Sequence, residues 1–64
     1  MTADREYVAN LIEVVEELKQ RVLNETTQVE ECAGDDFLEE TAILRNLAMQ
    51  LEGLKLRLRK TLLH

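Results

Sequence analysis

This chain offers one place to turn. Across 64 residues there is no proline, and the only two glycines are Gly34 and Gly53. Gly34 falls in Ala33-Gly34-Asp35-Asp36, where glycine can take the left-handed conformation that ends one helix and the aspartates can cap the next. Asp36 followed by Glu39 has the spacing of a capping box. Gly53 lies among leucines and basic residues, and reads as a tolerated interruption costing up to about 1 kcal/mol relative to alanine. Leu, Val, Glu, Lys and Arg dominate the remainder, with Tyr7 and Phe37 as the only aromatics, whereas a sheet would need more aromatics and more turns. The expected fold is all-α: one antiparallel two-helix hairpin of coiled-coil type over 1–64, with helix 1 at about 3–32, the turn at about 33–36 and helix 2 at about 37–62.

Each half carries an apolar seam in three- and four-residue steps. Val8, Leu11, Val15, Leu18, Val22 and Val29 form it in the first half, with Cys32 completing the series as a small packing residue. Phe37, Leu44, Leu47, Leu51, Leu54 and Leu58 form it in the second. A turn at Gly34 brings the two into register, with Leu18 near Leu51, Val15 near Leu54 and Leu11 near Leu58. The seam thins at Glu25, beside Asn24, Thr26 and Thr27 with their poor helix propensity. A bend there competes with a continuous helix that holds Glu25 at the seam edge, and continuity is the simpler reading.

The second half has another stripe as well. Leu38, Ala42, Met49, Leu56 and Leu63 lie on a line centred roughly 170° from the first, so one neighbouring helix cannot cover both. Burying its four large side chains is worth on the order of 6 to 8 kcal/mol before the cost of association. A chain this short buries only about 60% of what its unfolded form exposes. The hairpin is therefore expected to complete its core by dimerisation or by packing on a protein partner, through this second stripe.

Other classes of function find little purchase. A net charge of −5 with a pI near 4.7 opposes a phosphate backbone. Lys55, Arg57, Arg59 and Lys60 form a local basic segment, for which pairing with the acidic first helix is expected over contact with nucleic acid or an anionic membrane. No metal site is expected, because His64 and Cys32 are far apart and the acidic residues around the turn lack calcium-loop spacing. No nucleophile–base pair or phosphate cradle is present, so no catalytic residue, cofactor or small-molecule substrate is expected and the chain reads as non-enzymatic. The single cysteine forms no disulfide framework, no apolar run approaches the roughly 20 residues that span a bilayer, and Asp4, Arg5 and Glu6 do not open a secretory leader. A cytoplasmic location is expected.

A chain of this length beginning Met1-Thr2, with a Gly34-Asp35 turn and a second helix containing Thr41-Ala42-Ile43-Leu44 and Gln50-Leu51-Glu52-Gly53-Leu54, resembles the small co-chaperones of type III secretion needle subunits, the YscE-like family. The resemblance covers the hairpin layout of the whole chain, with local matches in the second helix. It implies pairing with a larger tetratricopeptide-like chaperone and, through that pair, a needle subunit kept soluble in the bacterial cytoplasm. The alternatives are a homodimeric four-helix bundle serving as an oligomerisation or adaptor module and, less favoured by the charge, a small nucleic-acid-binding regulator.

Overall fold

The computed structural model describes the backbone of residues 2–63 and the side chains of residues 4–63; the Thr2 hydroxyl, which the sequence offers as an N-cap for the first helix, and the terminal His64 lie outside the described side chains. Helix α1 spans Thr2–Ala33, a 3-10 turn spans Gly34–Phe37, and helix α2 spans Leu38–Leu63. The thin stretch near Glu25 does not break α1, because its threonines bond back along the helix. Thr26 Oγ1 donates to the Val22 carbonyl at 2.7 Å and Thr27 Oγ1 to the Leu23 carbonyl at 3.1 Å. Each hydroxyl is satisfied without leaving helical geometry, which lets Thr26 sit 1% exposed in the interior.

Gly34 turns the chain at φ 58°, the left-handed region in which glycine carries no Cβ penalty. The capping box expected at Asp36 does not form. An N-cap residue needs a non-helical backbone, and Asp36 instead lies inside the 3-10 turn. Thr41 takes part at this end: its hydroxyl donates to the carbonyls of Phe37 and Leu38 at 2.9 and 3.1 Å.

The helices run antiparallel as a rod of 49 × 14 × 11 Å with a radius of gyration of 14.9 Å. A compact chain of this length would have about 10.7 Å. Lys19 reaches Glu52 and Lys55 reaches Glu16, each one residue along from the expected Leu18–Leu51 and Val15–Leu54 neighbours. The register is thus within a turn of the expected one.

The line of closest approach differs from the expected seam. On α1 it follows Val8, Ile12, Val15, Lys19, Val22, Thr26, Val29 and Ala33, all buried or half-buried. On α2 it follows Thr41, Ala48, Lys55 and Leu62, flanked by half-buried Leu44, Leu51 and Leu58. Val8, Leu11, Val15, Val22 and Val29 thus lie at or beside the contact. Leu18, Phe37, Leu47 and Leu54 do not: they are 48%, 46%, 41% and 43% exposed, and Cys32 is exposed as well. The physical reason is size. Thr41 and Ala48, the two buried positions of the α2 line, are small enough to sit against α1, whereas a leucine at either would hold the axes apart. Leu44, Leu51 and Leu58 therefore pack from one edge, which turns Leu47 and Leu54 outward. On α1 the four-residue step from Val29 to Ala33 leaves Cys32 off the line.

Candidate protein-interaction surfaces

One flank of the hairpin is bridged by ion pairs. Lys19 Nζ lies 2.7 Å from Glu52 and 3.2 Å from Glu16, while Lys55 Nζ lies 2.6 Å from Glu16 and 3.0 Å from Glu52. The four side chains form a closed, neutral quartet in which each cation touches both carboxylates. Lys19 and Lys55 stand at interior heptad positions, four residues after Val15 and Leu51 and three before Val22 and Leu58. Their aliphatic stems fill the contact while their ammonium groups reach the rim. That spacing was the available signal for a charged layer, although lysines ordinarily read as surface residues.

Charged groups at core positions tie two helices to one register, since sliding either would strand a partly buried lysine. Towards the turn, Arg45 and Glu30 add a further pair on the same flank. At the open end the Arg5 guanidinium donates to the Leu62 carbonyl. Of the basic segment, Lys55 alone makes an ion pair among the described residues, with Glu16 and Glu52 as its partners; Arg57, Arg59 and Lys60 are exposed.

The quartet sets a pH dependence. Hydrogen bonds from Lys55 first, then from Gln20 and Lys19, hold the Glu16 carboxyl down from 4.5 to about 2. Lys19 and then Lys55 lower Glu52, and Arg45 lowers Glu30. A carboxyl held lower when folded than when unfolded binds fewer protons in the folded state. Its stabilisation is full above the ordinary 4.5 and is lost as the pH falls towards about 2. Thermal melts followed by circular dichroism are expected to shift little between pH 7 and 5, then to lower temperature as acid is added. Glu16→Gln with Glu52→Gln should flatten much of that acid limb. A melting temperature that rises on acidification would contradict this assignment.

The second apolar stripe is solvent-facing along α2. Leu38, Ala42, Met49, Leu56 and Leu63 are all exposed, Met49 to 73%. Met49 borders an open groove beside the quartet, formed with Leu23, Ala48, Lys19, Arg45 and Glu52. An apolar floor ringed by charge suits a side chain from another protein, since methionine adapts to varied shapes and the ionic rim orients what enters.

Sequence reasoning from one helix at a time passed over a third feature. Tyr7, Val14 and Leu18 lie on α1, and Leu47 and Leu54 on α2, all exposed. Two residues along a helix is roughly 160° around it. Val14 and Leu18 are therefore nearly opposite Glu16, and Leu47 and Leu54 nearly opposite Arg45 and Glu52. Because those charged residues bridge the helices along one flank, the apolar five share the other. Steps of four, three and four from Tyr7 through Leu11 and Val14 to Leu18 were the signal.

Among the described residues there is no group of three or more His, Cys, Asp or Glu side chains placed to hold a metal ion, and no helix long and apolar enough to cross a membrane. Fold and surface together define an elongated helical hairpin with apolar flanks. No family, curated protein or solved structure matches this chain in comparison with known proteins. The YscE-like resemblance thus stands on its residues alone.

Proposed function

We propose that this chain is a non-enzymatic protein-binding module that packs the outer stripe of α2 against a partner. The observation carrying the proposal is the line of Leu38, Met49, Leu56 and Leu63, exposed on α2 beside the ion-pair quartet, about a quarter turn from the line that faces α1. Isolated surface leucines are ordinary, but a continuous line on one helix face suits helix-in-groove recognition. The particular role is that of a cytoplasmic accessory chaperone in type III secretion. It joins a larger tetratricopeptide-like chaperone, and the pair keeps the needle subunit soluble. This role is supported by the family resemblance, and a concave helical-repeat surface would fit a rod with an apolar edge.

Co-expression with the tetratricopeptide-like chaperone and needle subunit of its own secretion system tests the proposal. The expected result is a co-purifying complex, with Met49→Glu plus Leu56→Glu weakening retention at least about tenfold while helicity is kept, because each lost side chain removes about 1.5 to 3 kcal/mol of burial. Equal retention of the variant would reject the stripe as the contact. Absence of any complex with the wild-type chain would reject the chaperone role.

A further inference from the structure

We propose that the flank opposite the ion-pair quartet, carrying Tyr7, Val14, Leu18, Leu47 and Leu54, is covered by a second copy of this chain lying antiparallel, to make a four-helix bundle. Three observations point to a second copy and to that orientation. The first is area. The chain exposes 5267 Å², whereas a compact monomer of 7.4 kDa would expose about 4,200 Å². The excess is comparable with the roughly 800 Å² that each partner contributes to a standard stable interface.

The second is composition. This flank draws apolar side chains from both helices, whereas the outer stripe belongs to α2 alone. A shallow face spanning two helices is self-complementary in the way a two-fold bundle needs, with each helix packing on one of the copy.

The third is charge. Around the turn Glu30, Glu31, Asp35, Asp36, Glu39 and Glu40 are set against Arg45 alone. At the open end, beyond the neutral quartet, Arg5, Arg57, Arg59 and Lys60 are set against Asp4, Glu6 and Glu13. Turn beside turn would stack carboxylates on carboxylates. The reversed arrangement sets each acidic tip beside the less acidic open end of the copy.

Cys32 is the sole cysteine and is exposed near the turn, so the natural chain accepts one spin label with no substitution. Pulsed dipolar spectroscopy on the labelled full chain is expected to give a separation of roughly 35 to 45 Å, about twice the run from the middle of α1 to Cys32 at about 1.5 Å per residue. Val14→Lys with Leu54→Lys, checked for unchanged helicity, should abolish the dipolar signal. Met49→Glu with Leu56→Glu should leave it intact, which separates this interface from the partner stripe. A separation below about 20 Å would mean turns side by side and would overturn the antiparallel arrangement. A wild-type chain with no dipolar signal at millimolar concentration, or a signal lost only in the Met49 and Leu56 variant, would overturn the interface itself.

Discussion

Val15→Asp is expected to unfold the hairpin outright. Val15 is 3% exposed at the centre of the helix contact, and Lys19, one turn along, is already committed to Glu16 and Glu52. The new carboxylate would be buried without a free partner, at a cost of about 3 kcal/mol or more. A rod with so little interior has small reserves against such a loss. Far-ultraviolet circular dichroism at 25 °C should show helicity falling to a small fraction of the wild-type value. Leu18→Asp, only three residues further on, should keep most of its helicity because Leu18 faces outward. Reversal of that order would mean that the contact follows Leu18 rather than Val15 and Lys19.

Ala48→Leu is the second large expected effect, and its sign runs against ordinary hydrophobic intuition. Ala48 is 4% exposed, on the buried line of α2 that faces α1. Three additional carbons there must push α2 away from α1 or force strained rotamers, at about 1 to 3 kcal/mol. They would also pull Glu52 and Lys55 from their partners across the contact. Urea denaturation should show a lower midpoint, even though leucine is nearly as good a helix former as alanine. An unchanged or higher midpoint would contradict the close-packed line through Thr41 and Ala48.

Much of this fold was legible because the local signals agree. One glycine between two long periodic stretches allows few layouts other than a helical hairpin, and Gly34 does take the left-handed conformation. The seam was harder to read. Apolar residues occupy several neighbouring columns of α2, and periodicity ranks columns by hydrophobicity, whereas the fold selected the column that carries the small Thr41 and Ala48. By hydrophobicity Leu47 and Leu54 read as inward-facing, and no local signal marks Lys19, Thr26, Thr41 and Lys55 as interior. A buried threonine bonded to its own helix, or a lysine whose ammonium reaches the rim, has the same sequence appearance as a surface residue.

The surfaces divide in the same way. The outer stripe of α2 could be read along a single helix. The broader flank became visible only when the ion pairs established which sides of the two helices coincide. If both flanks are used, the hairpin itself is a thin scaffold, and most of the apolar surface that stabilises it belongs to intermolecular contacts.

Sedimentation equilibrium of the wild-type chain over a wide concentration range addresses that claim most directly. An apparent mass that climbs from 7.4 kDa towards twice that value as concentration rises is the predicted result. A fully helical particle that stays at 7.4 kDa from micromolar to millimolar concentration would contradict it.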